Sequence, residues 1–132
     1  MVSAMKTSKI IICSLAILLF FCLVASGAEP YNPSNNTKKA IAYLIDRVAN
    51  SHLTFTRNGI EYSSQEAADH IRIKYQNSKS RIESPEDFIQ VCASKSLLSG
   101  KPYLVSTAQG KIPAEKWLGE ILAEYGKQQN LF

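Results

Sequence analysis

The stretch "TFTRNGIEYSSQE", residues 54–66, constrains the fold of this chain more than any other. Asn58 and Gly59 stand between two β-prone runs. A type I′ hairpin turn requires positive φ at both central residues, and this pair tolerates that geometry best. The two-residue loop also fixes the register. The predicted pairs are Arg57 with Ile60, Thr56 with Glu61, and Phe55 with Tyr62. The predicted apolar side carries Leu53, Phe55, Ile60 and Tyr62.

A helix should begin directly after this hairpin. Ser63 and Glu66 have the spacing of a capping box, in which the serine hydroxyl accepts from the backbone amide of Glu66 and the carboxylate reaches back. The helix is predicted over about residues 64–76. Its core-facing side chains are expected to be Ala67, Ala68, Ile71 and Tyr75.

Three further helices and a strand are predicted from similar signals. An apolar stripe at helical spacing defines the first helix, which Asn36 or Thr37 is expected to cap. Ser84 should cap another helix, whose stripe includes Cys92 and which Gly100 is expected to terminate. A strand is predicted next, over 103–107. A last helix follows it, with Trp117 and its neighbours on the apolar face. The sequence therefore predicts an α+β fold: four helices packed on a small antiparallel sheet of about three strands, the hairpin 53–62 plus the strand 103–107.

The N-terminal residues have the layout of a secretory signal peptide. Lys6 and Lys9 precede an uncharged apolar run over 10–25, and small residues follow it. We expect cleavage after Ala28, with cleavage after Gly27 and an uncleaved membrane anchor as the alternatives. The predicted organisation is a signal peptide (1–28), a flexible lead (29–36), one globular domain (37–127) and a C-terminal tail (128–132). After cleavage no stable membrane insertion is expected.

Charge and cysteine content narrow the function further. The formal net charge of the whole chain is +4, and it falls to +2 without residues 1–28 because two lysines leave and no acid does. That mild charge, without a basic stripe, does not indicate nucleic-acid binding. Only Cys92 remains after cleavage, so no internal disulfide is expected. No spacing typical of a metal site or a cofactor-binding motif occurs.

The candidate binding residues lie on the hairpin and the helix that follows it. Glu66, His70 and Lys74 are spaced by four residues and form one stripe on that helix, with Arg57 nearby. Basic side chains in such an arrangement suit a carboxylate or phosphate group, so an anionic small ligand or an envelope protein is the expected partner. The alternative is a solvated charge stripe with a structural histidine.

An enzymatic alternative is a small hydrolase that uses Ser94 or Cys92 as nucleophile and His70 as base. Cys92 lies on an apolar helix stripe, which favours a buried structural thiol. Ser94 and Ser99 lie where the helix should end, and no complete serine-nucleophile motif surrounds them. We therefore favour a non-catalytic role.

The motifs together resemble the YfeK family of small exported bacterial proteins of unknown function. The resemblance rests on "FTRNGIEYSSQEAADHIRIK" and "SRIESPEDFIQVCASKSLLSGKPYLV". It implies export and a single domain, and it supplies no reaction, cofactor or ligand. The polar positions shared with the family motif are Arg57, Asn58, His70, Lys74, Ser94 and Lys101. Lys101 joins the predicted binding residues on this ground. The function predicted is an exported binding or interaction module of the cell envelope.

Overall fold

Four α-helices and an antiparallel β-sheet form the part of the chain that the structure describes. That structure is a computed structural model, and it describes residues 33–130. The α-helices are α1 (Asn35–Ala49), α2 (Ser64–Ser78), α3 (Pro85–Phe88) and α4 (Ala114–Gln129). The strands are β1 (Thr54–Arg57), β2 (Ile60–Tyr62), β3 (Leu104–Thr107) and β4 (Gly110–Pro113). The predicted α+β class is confirmed.

The predicted signal peptide (1–28) lies outside the described residues, as do residues 29–32 of the predicted lead and residues 131–132. Over the described range, no helix is both long enough and apolar enough to cross a membrane. Helix α1 begins two or three residues earlier than a cap at Asn36 or Thr37 implies. The cap is Ser34, whose hydroxyl accepts from the backbone amide of Thr37 at 3.2 Å, so the assignment to Asn36 or Thr37 is wrong.

The hairpin has the predicted turn and register. Asn58 has φ +52° and Gly59 has φ +80°, the left-handed values that a type I′ turn needs. The three strand pairs match the prediction, and β3 joins β1 antiparallel. The sheet order is β2-β1-β3-β4.

The fourth strand, β4, was not predicted. Its sequence, Gly-Lys-Ile-Pro, contains two residues that are unfavourable inside a strand. The strand is nevertheless possible because β4 lies at the sheet edge, where Pro113 does not need to donate a hydrogen bond outward. Ile112 pairs with Val105 and extends the apolar face of the sheet.

One face of the sheet meets the helices, and the other carries exposed charged side chains at both edges. Phe55 and Val105 are paired and buried on the inner face. Ile60, predicted on the same apolar side, is 59% exposed, because β2 is an edge strand and the hairpin end extends past the core. On the outer face, Lys111 of β4 and Glu61 of β2 form a 3.0 Å ion pair that spans both inner strands.

Two of the three predicted N-terminal caps, those at Ser63 and Ser84, are present. The Ser63 hydroxyl accepts from the backbone amide of Glu66 at 3.2 Å, and the Glu66 carboxylate accepts from the backbone amide of Ser63 at 2.8 Å. Ser84 and Asp87 form a second capping box at the start of α3. In the first box, the hydrogen bonds that the backbone amide and hydroxyl of Ser63 donate to the Glu66 carboxylate lower the pKa of Glu66.

The segment after α3 differs from the prediction. The chain continues as a π-helix over Ile89–Ala93 and ends there, well before Gly100. Gly100 instead closes a turn, with φ +69° and its backbone amide donating to the Ser96 carbonyl at 2.9 Å. The prediction that Gly100 terminates a helix is therefore wrong. The wider π-helical turn directs Cys92 into the core, where it is fully buried, as its apolar stripe predicted.

The last helix, α4, covers the inner face of the sheet next to β3 and β4. Leu118 and Ile121 are buried, and Trp117 is half-buried with its ring edge-on to Phe55 at 5.8 Å. Helix α2 covers the hairpin side of the same face through Ala68 and Ile71. The space between α2 and the sheet contains the candidate site.

Candidate functional site

A cavity of about 360 Å³ lies between α2, the hairpin and the start of α4. Its walls are mainly apolar and include Phe55, Ala67, Ile71 and Leu118. Two basic side chains, Arg57 of β1 and His70 of α2, also line it, as do the carboxylates of Glu66 and Asp69 and the phenol of Tyr103. An apolar pocket of this size with a few convergent polar groups is the usual form of a small-molecule site.

Strand alternation brings Arg57 to the helix-covered face. Arg57 lies two residues after Phe55, so both side chains point to the inner face of the sheet. There the Arg57 Nη1 atom lies 3.4 Å from Nδ1 of His70. A guanidinium nitrogen is always a donor, so Nδ1 must accept and the proton of the neutral imidazole resides on Nε2. The structure thus brings together two of the predicted binding residues.

Lys74 lies one helical turn beyond His70 and adjoins the same cluster. Its Nζ donates to the Lys95 carbonyl at 3.2 Å and to the Tyr103 hydroxyl at 3.4 Å, and it lies 5.1 Å from the centre of the Tyr103 ring. The ring of Tyr103 also meets that of His70 edge-on at 6.3 Å. Lys74 is therefore held beside the cavity by neutral acceptors, although it is not part of the cavity lining.

Burial, with a smaller contribution from neighbouring positive charge, lowers the pKa of two basic groups in the cluster. Burial first, then the charges of Arg57 and Lys74, lower the pKa of His70 from its ordinary value of 6.5. Burial is also the main cause that lowers the pKa of Lys74, and Arg57 adds to it. His70 is therefore neutral at pH 7. Its charge appears at lower pH than the sequence alone predicts.

The acidic groups that line the cavity are already engaged elsewhere. Glu66 caps α2 through Ser63, and Asp69 forms a 2.5 Å ion pair with Arg72. Within residues 33–130, Arg57 forms no ion pair with a carboxylate. A cation at an apolar cavity wall without a counter-ion is costly, and it is the group that a bound anion stabilises.

Two nitrogen atoms in the cluster are buried without an acceptor. They are Arg57 Nε and His70 Nε2, each sealed from solvent, whereas the rest of each side chain is half-buried. A buried donor without a partner keeps its desolvation cost. A ligand oxygen that reached these nitrogens after a side-chain rotation would remove that cost.

The fourth predicted binding residue, Lys101, lies outside the cavity lining. It belongs to an exposed loop, residues 95–102, which we name the leucine loop after Leu97 and Leu98. Asn58 at the hairpin turn holds this loop: its side-chain amide donates to the Ser96 hydroxyl at 3.3 Å and accepts from the Ser99 hydroxyl at 2.5 Å. Ser99 therefore joins the loop to the hairpin, and its predicted role in ending a helix is wrong.

The geometry gives no support to the hydrolase alternative. The Ser94 hydroxyl donates to the Gln90 carbonyl at 2.6 Å, and His70 has no hydrogen bond to Ser94 or Cys92. Burial raises the pKa of the Cys92 thiol to about 11, so the thiol stays protonated at neutral pH. Among the described residues, no group of three or more histidine, cysteine or acidic side chains is placed to hold a metal ion.

Sequence reasoning missed Tyr103 as a member of this cluster. Its phenol contacts Lys74 and its ring contacts His70, and burial raises its pKa. The available signal was strand alternation. Tyr103 lies two residues before the buried Val105, so both side chains point toward the inner face of the sheet.

Comparison with known proteins identifies the family. A model described as a family of unknown function, DUF5329, matches residues 35–126. The chain belongs to this family. An uncharacterized protein named YfeK from Salmonella typhimurium is 34% identical over 97 residues, which cover 72% of this chain and 76% of the relative. The predicted resemblance to the YfeK family is confirmed. No solved structure matches.

Proposed function

We propose that this DUF5329 protein is an exported, non-catalytic binding module of the bacterial cell envelope. Its cavity takes a small ligand with an apolar body and a carboxylate or phosphate group. The observation that carries this proposal is Arg57, whose guanidinium lines an apolar cavity without a carboxylate partner in residues 33–130. Arginine offers a planar fork of donors that matches both kinds of anion.

The other members of the cluster support the same ligand class. His70 presents a donor, Nε2, that has no acceptor, and Lys74 adds positive charge beside the cavity. Protonation of His70 at low pH adds a further charge, so binding of a ligand that stays ionised should strengthen as pH falls through its lowered pKa. The apolar walls suit an alkyl or aromatic ligand body.

Export rests on the N-terminal sequence. Lys6 and Lys9, the apolar run over 10–25 and the small residues that follow it have the order of a signal peptide. The only cysteine in the described residues is buried and unpaired, which is compatible with an oxidising compartment. N-terminal mass analysis of the protein from its native host should show a chain that starts at Glu29, and a chain that retains Met1 would contradict a cleaved signal peptide.

Titration calorimetry with octanoate and octanol tests the ligand class. The two probes share an apolar chain and differ in charge. Octanoate should bind more tightly, and Arg57→Gln should weaken it by about tenfold to a hundredfold, the range for one charge-assisted hydrogen bond. Arg47→Gln is the matched control, because Arg47 is exposed on α1 and does not line the cavity.

A second variant tests whether the cavity itself is occupied. Ala67 is half-buried in the cavity wall, so Ala67→Leu should fill part of the space and weaken both probes. If neither probe binds, or if Arg57→Gln and Arg47→Gln behave alike, the cavity is not an anion-binding site of this kind.

A further inference from the structure

The leucine loop exposes two large apolar side chains side by side. Leu97 is 72% exposed and Leu98 is 93% exposed. Ile60, 59% exposed, lies just past the hairpin turn that Asn58 ties to this loop, so exposed apolar groups gather at this end of the domain. Isolated surface leucines are common, whereas an adjacent exposed pair at a loop tip favours an interaction surface.

Hydrogen bonds hold these leucines outward. The Ser96 backbone amide donates to the Lys101 carbonyl at 2.9 Å, and Gly100 donates back to Ser96 at 2.9 Å. A β-bridge between Lys95 and Pro102 closes the base of the loop. Leu97 and Leu98 are thus exposed on a loop that its own hydrogen bonds already order. Little further conformational entropy is lost when this loop binds a partner.

Positive charge surrounds the apolar tip. Lys95 and Lys101 flank the two leucines and are exposed. The sequence has no aspartate or glutamate from residue 88 to residue 114, and Lys74 reaches the loop base through the Lys95 carbonyl. Exposed leucines flanked by lysines match an anionic lipid surface, where the apolar side chains enter the boundary of the acyl region and the amines bind the headgroups.

We propose that the leucine loop docks this protein reversibly on anionic lipid bilayers. Leu97 and Leu98 enter the interface, while Lys95 and Lys101 bind phosphate headgroups. Each leucine contributes on the order of tenfold to the partition coefficient, and each lysine about fivefold. This docking does not depend on the cavity. The nearly complete exposure of Leu98 and the lysines on both sides of the pair favour a bilayer over a protein partner.

Flotation with lipid vesicles tests the proposal. The protein is purified from its host, its N terminus is determined by mass spectrometry, and it is mixed with phosphatidylcholine vesicles that contain or lack phosphatidylglycerol. Binding should require phosphatidylglycerol and weaken in high salt. Leu98→Ser should reduce binding about tenfold, and the double variant Lys95→Gln with Lys101→Gln should reduce it more than tenfold.

Matched controls separate the loop from the rest of the surface. Ile73→Ser removes another exposed apolar side chain, on α2, and Lys116→Gln removes an exposed lysine on α4. Both should leave vesicle binding unchanged, as should Arg57→Gln in the cavity. Binding that is absent, indifferent to lipid charge, or equally reduced by Leu98→Ser and Ile73→Ser would overturn the proposal.

Discussion

Asn58 has two separable roles, one in the turn and one in the loop contact. Its backbone adopts φ +52°, where an alanine is strained by roughly 1–2 kcal/mol. Its side chain makes two hydrogen bonds with Ser96 and Ser99, and partly exposed bonds of this kind together contribute about 1 kcal/mol. Asn58→Ala should therefore lower the free energy of unfolding by about 2–3 kcal/mol.

Replacement by glycine separates the two roles. Glycine tolerates positive φ but makes no side-chain hydrogen bond, so Asn58→Gly should lose only about 1 kcal/mol. Ser99→Ala removes one of the two bonds without touching the turn, and it should cost less than Asn58→Gly.

Thermal and urea unfolding of the three variants provides the measurement. In a domain of this size, 1 kcal/mol corresponds to about 4–8 °C in the melting temperature. Asn58→Ala should then melt roughly 10–20 °C below wild type and Asn58→Gly roughly 4–8 °C below it. Equal losses in both would refute the backbone argument. A Ser99→Ala protein less stable than Asn58→Gly would refute the assignment of the hydrogen bonds.

Three further predictions concern His70, Trp117 and Cys92. Because folding lowers the pKa of His70, the unfolded chain binds that proton more tightly, so stability should fall as pH drops below 6.5 and level off below the folded-state pKa. In urea titrations, His70→Gln should flatten this slope between pH 7.5 and 5.5. A rise in wild-type stability as pH drops over that range would contradict the lowered pKa. Trp117→Ala should cost about 3 kcal/mol, the lower end for large aromatic truncations, because the ring is only half-buried against Phe55; an indole emission maximum typical of full solvation would show that α4 does not dock as described. The peptide that contains Cys92 should resist iodoacetamide at pH 8 until the protein is unfolded, since the thiol pKa is about 11, and rapid alkylation in the native protein would contradict its burial.

The hairpin turn and two of the three helix caps, which local chemistry determines, were predicted correctly. The turn at Asn58 and Gly59 fixes a register by itself, and the Ser63 and Ser84 caps each depend on residues three positions apart. Strand β4 was missed because its glycine and proline oppose a strand locally, and only pairing with β3 makes it one. The early helix end was missed for a similar reason: Gly100 suits several positive-φ turns equally well.

For the candidate site, the sequence indicated which basic residues converge but not their environment. Arg57 and His70 meet because a short hairpin leads directly into α2. Whether Arg57 has a counter-ion depends on which groups the Glu66 and Asp69 carboxylates bind. Those partners follow from the three-dimensional structure and not from the residue spacing. The lowered pKa of His70 likewise results from burial, which sequence position on a helix flank does not determine.

The central seam of the sheet also affects how the chain folds. Each hairpin pairs neighbouring residues, but β1 and β3 join Phe55 to Val105, fifty positions later. Pairing β1 with β3 closes a long loop and costs more conformational entropy than forming a local hairpin or helix, so we expect this pairing to form late in folding. Until residues 104–107 are available, the inner edge of β1 is unpaired. During synthesis, the domain therefore stays incomplete until residues 104–107 have emerged from the ribosome.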